Sequence, residues 1–294
     1  MNGIALLIDG GMRARHHARP VAAAPLDWGT VVTIAHISDP HVGSPYFVPN
    51  MMQRVILELN ELAPDVVINT GDLTSEGYRQ EYKNWLAYAE RIEAPMYTVP
   101  GNHDARNVGY LHFEDLVGPR HWSIDVGGVR IVGADSSEPD LNEGMVGRMR
   151  YGWIQEQFAK PADVKIFVLH HHLLPIPGTG RERSTVMDAG DVLEELVTVG
   201  VNIVLSGHKH VPYVWHLENL WIANAGTVSS LRVRGYTKPC YNVVEIDGDE
   251  VRISRRYPFG GASMIAHFSL STGEQHYREF EPPVQQRASA PLGD

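Results

Sequence analysis

The chain has a single cysteine, Cys240. An intramolecular disulfide is excluded, and so is any multi-cysteine zinc motif. A lone cysteine at this position reads as a small buried residue near a strand start rather than a reactive thiol. Long apolar runs are also missing, and nothing approaches the roughly 20 residues of a membrane-spanning helix. Positive charge is in deficit, with 25 Lys and Arg against 35 Asp and Glu and a net charge of −10. No general attraction to a nucleic-acid backbone follows from that balance, and no basic track is interleaved with aromatics. Neither nucleic acid nor a membrane is therefore expected as a partner. The first stretch, MNGIALLIDGGMRARHHARP, places its apolar run before its basic cluster. An export signal has the opposite order, so the expected compartment is the cytoplasm.

The composition is globular: 294 residues, 43% hydrophobic and 20% charged, enough for a sizeable core. Strand-like and helix-like segments alternate through the first two-thirds. VVTIAHIS (31–38), DVVIN (65–69) and PMYTV (95–99) read as strands. Between them, 51–62 carries Met51, Met52, Val55, Ile56, Leu59 and Leu62 at helical spacing, and 77–92 reads as a second helix. This βαβαβ pattern implies a largely parallel sheet covered by helices. Gly127–Gly128 marks a hairpin. A helix near 150–160, a strand at 164–169, a helix at 188–199 and a strand at 201–205 follow. Beyond residue 210 the chain turns to short strands: YVWHL, LWIANAG, CYNVVEI and EVRISRR. The expected fold class is α/β, one core of two stacked mixed β-sheets flanked by helices. The expected organisation is a polar leader over 1–30, one domain over 31–280, and a Pro-, Gln- and Ala-rich tail over 281–294.

The informative residues lie where strands stop. SDPH supplies Asp39 and His41, NTGD supplies Asp72, and PGNHD supplies Asn102, His103 and Asp104. LHHH supplies His170, His171 and His172, and SGHKH supplies His208 and His210. Each has an ordinary explanation: a turn Asp, a helix cap, a hydrogen-bonded structural histidine. That explanation must be invoked at five strand ends on the same side of a sheet, where residues distant in sequence meet in one crevice. Carboxylate, imidazole and amide oxygen together form the donor set of zinc, iron or manganese. The donors are too many for one ion, and a shared carboxylate could hold two ions about 3.5–4 Å apart, an arrangement suited to phosphate esters.

These five motifs, in this order, resemble the calcineurin-like metallophosphoesterases. The resemblance implies that family's fold, an αββα sandwich of two mixed sheets. It implies one ion on Asp39, His41 and His210, a second on Asn102, His170 and His208, and Asp72 bridging them. Mn, Fe and Zn all suit this set, as two divalent or mixed-valence ions. Within the histidine run the ligand is His170 or His171, with Pro175 and the strand length favouring His170. GHKH would give one histidine to each ion, and in extended backbone residues i and i+2 point the same way. The family counterpart of His103 is placed as general acid or transition-state donor, the alternative being a further ligand or a structural residue. The role of Asp104 is open. The implied reaction is attack on phosphorus by hydroxide generated between the ions.

GDLTSEG and GNHD are similar to the bacterial cyclic-nucleotide phosphodiesterase-like branch. In the protein phosphatase branch an Asp and an Arg stand where this chain has Ser75 and Glu76. A diester carries one negative charge, so the ions and His103 can suffice without an arginine clamp, and a small phosphodiester is the expected substrate. Selectivity is expected from the loops 136–153 and 173–185, with Arg148, Arg181 and Arg183 as possible contacts. The rival readings are a phosphomonoesterase with the same site, a nuclease, and a metal-binding scaffold without catalysis.

Overall fold

The computed structural model describes residues 31–177, 179, 186–234 and 237–278. The expected leader (1–30) and tail (281–294) lie outside the described residues, as do Arg181 and Arg183.

The chain opens with β1 (Val32–Ile37), α1 (Pro49–Leu62), β2 (Val66–Asn69), α2 (Arg79–Ala89) and β3 (Met96–Thr98). The three strands pair in parallel, as the βαβαβ pattern requires. α1 begins with proline in its first turn, where the missing N–H costs nothing. Its Met52, Val55, Ile56 and Leu59 recur every three to four residues and are all buried. α2 is shorter than its sequence pattern: it starts at Arg79, where the Glu81 carboxylate accepts the backbone N–H groups of Glu76 and Tyr78. The short helix α3 (Gly109–Leu116) had no sequence signal. It follows Asn107 and Val108, both in left-handed backbone, and has no side-chain cap.

The second half supplies β4 (Trp122–Val126), β5 (Val129–Gly133), α4 (Tyr151–Phe158), β6 (Val164–Val168), α5 (Ala189–Thr198) and β7 (Ile203–Ser206). β8 (Tyr213–Leu217), β9 (Leu220–Asn224), β10 (Tyr241–Asp247), β11 (Glu250–Arg256), β12 (Ala262–Ser269) and β13 (Gln275–Arg278) complete it. The hairpin at Gly127–Gly128 forms where expected, and a second one turns at residues 247–250. β12 and β13 were not anticipated, because a bulge interrupts the alternation in each pairing.

Two mixed sheets result, ordered β13-β12-β11-β10-β1-β2-β3 and β4-β5-β6-β7-β9-β8. The first is less parallel than its opening units imply, since β10 joins β1 antiparallel and carries a meander with it. The sheets face each other across a core that includes Ile34, Ile68, Ile166, Leu205, Trp221, Ile253 and Phe268. α1, α2 and α3 cover the outside of the first sheet through Ile56, Tyr82, Trp85 and Phe113. α4 and α5 cover the outside of the second through Ile154, Phe158 and Leu196. The architecture is therefore the four-layer α/β sandwich. Cys240 is fully buried, consistent with a packing role. Among the described residues no helix is long and apolar enough to cross a membrane.

Candidate metal centre

The parallel strands β1, β2 and β3 of one sheet and β6 and β7 of the other end at the same rim. Asp39 and His41 follow β1, Asp72 follows β2, Asn102 and His103 follow β3, His170 follows β6, and His208 and His210 follow β7. Their donor atoms converge in three overlapping groups: Asp39–His41–His210, His41–Asp72–His103, and Asp72–His170–His208. One oxygen, Asp72 Oδ2, lies 3.6 Å from His41 Nε2 and 3.4 Å from His170 Nε2. Asn102 Oδ1 lies 3.2 Å from His170 Nε2 and 2.9 Å from His208 Nδ1. Every residue proposed from sequence as a ligand is in the cluster, and His103 lies at its edge.

The backbone explains how so many donors meet. Asp39, His41, Asp72, His208 and His210 all have positive φ, between 50° and 73°. Such backbone is uncommon outside glycine, and Asp and His are among the residues that tolerate it. It reverses the chain within one residue, so a side chain just past a strand can turn back over the strand end. The expectation that His208 and His210 share a face by extended alternation is thereby corrected. That stretch is a tight bend, with Lys209 N–H donating to Gly207 O at 2.9 Å. Backbone bonds lock the loops together: Asp39 N–H to Gly71 O, His41 N–H to Asp72 O, and Gly207 N–H to His170 O, all 2.9 Å. The glycines are sterically required. A Cβ on Gly101 would lie 2.1 Å from Asp72 Oδ1, and one on Gly207 would lie 2.0 Å from Ser38 Oγ.

Two of these histidines are oriented by a backbone carbonyl behind the ring. His170 Nδ1 faces Thr70 O at 2.6 Å, and His210 Nδ1 faces Arg232 O. With Nδ1–H donating, both Nε2 lone pairs point into the cluster, the orientation that second-shell partners impose on metal-binding histidines. His171 differs: Ser136 Oγ occupies its Nδ1 at 2.9 Å and Asn142 O its Nε2 at 3.2 Å. Of the two registers weighed in the sequence, His170 is the one whose donor faces Asp72.

The electrostatics of the site call for a cation. Asp39 Oδ1 is buried without a hydrogen-bond partner, while His210 Nε2 stands 3.2 Å away. His41 Nε2 and His210 Nε2 face one another at 2.9 Å. Burial pushes His41 down to about 3, so it is neutral and offers a lone pair. Burial also works against His170 becoming charged, yet the Asp72 carboxylate raises it to about 9. Asp72 itself is driven up by burial, but the neighbouring His170 and His103 outweigh that and hold it well below the usual carboxylate range. A buried anion thus recruits positive charge from an imidazole, and an unsatisfied carboxylate oxygen and two facing imidazole nitrogens surround the same space. The donor set fits borderline divalent ions.

Asp104, whose role was open, does not line this space. Its carboxylate accepts from Leu73 N–H, Thr74 N–H and Gly101 N–H at 3.0 Å, and from Thr74 Oγ1 at 2.8 Å. It ties the loop after β2 to the loop after β3. Burial, reinforced by the Asp72 charge, raises it to about 7.

The cluster opens into a cavity of about 220 Å³ whose lining includes Arg106, Asn142, Arg232 and Arg234. Sequence reasoning singled out none of these four, although Asn142 lies in the 136–153 loop expected to set selectivity, 232 and 234 fall in the segment after β9, and 106 stands two residues beyond GNHD. The arginine singled out instead, Arg148, is exposed and pairs with Asp191 at 2.9 Å, away from the cavity. The motif position that holds an arginine in the protein phosphatase branch is Glu76 here, as read from the sequence, and three other arginines, Arg106, Arg232 and Arg234, line the cavity. Arg106 is held by Glu76 Oε1 at 3.1 Å and by Asn142 Oδ1 at 3.1 Å. Asn142 Oδ1 also accepts from Asn102 Nδ2 at 3.3 Å.

Comparison with known proteins agrees with this geometry. Residues 32–212 match the calcineurin-like phosphoesterase family. The chain belongs to that family. Its fold and donor set have the features that a metal-dependent phosphoesterase requires. It is 31% identical to a probable glycerophosphodiester phosphodiesterase of Arcobacter nitrofigilis, over 47% of this chain and 56% of that one. It is 27% identical to a cAMP/cGMP dual specificity phosphodiesterase of Mycobacterium tuberculosis, over 90% of this chain and 87% of that one. The match thus spans just over half of the first relative and most of the second. Among solved structures, the purple acid phosphatase of yellow lupin seeds shares the fold, with a TM-score of 0.63 at 16% identity. That likeness covers 84% of this chain and 53% of the phosphatase.

Proposed function

We propose that the chain hydrolyses small phosphodiesters at a dinuclear metal centre, with cyclic nucleotides as the first substrates to test and the cytoplasm as its compartment. The observation that carries the reading is the placement of Asp72, one of whose oxygens faces both His41 and His170. That placement supports Asp72 as the shared ligand between an Asp39–His41–His210 set and an Asn102–His170–His208 set. Mn, Fe and Zn are all candidates for both positions. When bound, two such ions supply Lewis acidity, lowering the pKa of water toward about 7 and taking up charge on phosphoryl oxygens.

The protein's own groups do the rest. His103 is fixed by Ser75 O, 2.6 Å from its Nδ1, and His103 N–H donates to Asp72 Oδ1 at 2.8 Å. With Nδ1–H engaged, the imidazolium form can release its second proton only from Nε2, which suits delivery to a leaving oxygen. Arg106, Arg232 and Arg234 line the cavity mouth and orient the ester by its non-bridging oxygens or its leaving group. Those arginines also favour a second reading, a phosphomonoesterase, because a monoester dianion gains more from them than a diester monoanion does.

The deciding experiment compares a chromogenic phosphodiester with the matching monoester on metal-stripped protein restored with manganese, iron or zinc. Metal-dependent turnover favouring the diester supports the proposal. Preference for the monoester moves the assignment to phosphatase. Two bound ions with no turnover on either ester would overturn both in favour of a non-catalytic scaffold.

A further inference from the structure

The outer strands of the first sheet carry a second cluster of metal-ligating side chains that the catalytic reading does not use. Glu250 lies on β11, His267 on β12 and His276 on β13, three neighbouring strands at one end of the sheet. Their donor atoms all lie within 4.8 Å of one another. Val251, Ile253 and Phe268 from the same strands face the core between the sheets. Glu250 and His267 alternate with those residues and face the other way. His276 owes its place to a bulge. His267 pairs with Tyr277 and Phe268 pairs with Gln275, so His276 is the extra residue on β13. A bulge re-aims side chains, and here it turns a second imidazole towards Glu250.

The distances suit a borderline divalent ion. Glu250 Oε2 is 2.7 Å from His267 Nε2 and 3.4 Å from His276 Nε2. Tetrahedral zinc with bonds of about 2.0–2.2 Å separates its ligands by about 3.3–3.5 Å. The second distance already has that value, and the first needs an opening of about 0.7 Å in partly exposed side chains. Glu274 Oε1 stands 3.8 Å from Nδ1 of His276, on the side of the ring away from Glu250. A carboxylate behind a histidine ligand fixes its tautomer and raises its basicity. An ordinary ion pair explains one imidazole against Glu250. A second imidazole is aimed at the same oxygen, with the ring centroids 4.7 Å apart, and one ion pair leaves its placement unaccounted for.

We propose that Glu250, His267 and His276 bind a zinc-class ion at a site separate from the catalytic cluster. The fourth position is left to water. Since β13 is a four-residue edge strand at the end of the sheet, the ion would clasp it to β12 and β11. The role assigned to the ion is to cross-link three adjacent strands, because each of the three ligands comes from a different one.

The test uses the full chain, stripped and reloaded with zinc, with zinc per chain counted after removal of free metal. The wild type should hold one zinc more than the His267→Ala/His276→Ala variant. Both histidines lie outside the buried cores, and an unchanged circular dichroism spectrum checks that the variant is folded. Repeating the comparison in an Asp72→Asn background separates this site from the proposed catalytic centre, because the difference of one zinc should persist whatever that centre holds. Zinc should also slow amide exchange in β12 and β13 of the wild type and not of the variant. Equal zinc content in wild type and variant would overturn the proposal, as would exchange rates in these strands that ignore zinc.

Discussion

Replacing His103 by glutamine separates proton donation from metal binding. The side chain is almost fully buried, its Nδ1 is held by Ser75 O, and its ring packs edge-on against His41 with centroids 4.6 Å apart. Glutamine of similar length can keep the bond to Ser75 O but cannot deliver a proton. The hydrogen bond to Asp72 comes from the backbone N–H of residue 103 and survives the exchange. General acid catalysis contributes about 10²–10⁴-fold, equivalent to about 3–5 kcal/mol of transition-state stabilisation at 1.36 kcal/mol per decade. That loss should appear in full on a diester with an alkoxide leaving group, such as a cyclic nucleotide. An aryl diester, whose phenolate leaves with little need of a proton, should lose far less. Metal content should equal that of the wild type. The assay is steady-state turnover on both substrates with metals counted on the same samples. Equal loss on the two esters, with an ion missing, would refute the acid role and make His103 a ligand.

Further predictions concern the surrounding scaffold. Asp72→Asn keeps the shape of the side chain and removes the shared charge, so the reconstituted protein should hold fewer ions per chain and lose turnover; a fully metallated, active variant would contradict the bridging role. Gly101→Ala places a methyl 2.1 Å from Asp72 Oδ1 and 2.5 Å from Asp72 N. Thermal melts should show a loss of about 1–3 kcal/mol, typical of overpacking, together with weaker metal binding, and a variant unchanged in both would show that the loop is not tightly fixed. His36 is buried beside Thr70, and burial lowers its pKa to about 3 from 6.5. Because the folded pKa is depressed, its contribution to stability is complete above pH 6.5 and declines by about 1.4 kcal/mol per unit as the pH falls towards 3. His36→Asn should therefore flatten the urea-derived stability profile between pH 6 and 4, and parallel profiles for the two proteins would remove the assignment.

The fold was legible in the first two-thirds because hydrophobic period and turn chemistry agree there. Met52, Val55, Ile56 and Leu59 repeat at helical spacing, and β1, β2, β6 and β7 are short β-branched runs that end in polar residues. β12 and β13 were not legible because bulges break their alternation, placing Ile265 and Ala266 side by side in the core. The candidate ligand positions were legible because each falls in the loop that follows a strand. Their geometry was not, since no local pattern announces that Asp39, His41 and His210 take left-handed backbone. The cavity arginines were invisible for another reason. Arg106, Arg232 and Arg234 resemble any surface arginine until the topology brings the loops after β3 and β9 to the same mouth.

The left-handed backbone connects these observations. Each such residue outside glycine costs about 1–3 kcal/mol, and here five stand at positions proposed as ligands. The cost persists only where the surroundings over-determine the conformation. Asp104 gathers Leu73, Thr74 and Gly101 onto one carboxylate, and the bonds from Asp39, His41 and Gly207 tie neighbouring loops together within each sheet. Glycines stand where any Cβ would collide with the carboxylates they flank. This is rigidity directed at a small group of donor atoms, in a family whose fold alone does not require it. It is also why the donors face one another at 2.9–3.7 Å rather than relaxing into separate hydrogen bonds. The strain is carried by the proposed metal ligands, and the cavity arginines are tied to the same donors: Arg232 O faces His210 Nδ1, and Arg106 donates to Asn142 Oδ1, which also accepts from Asn102 Nδ2.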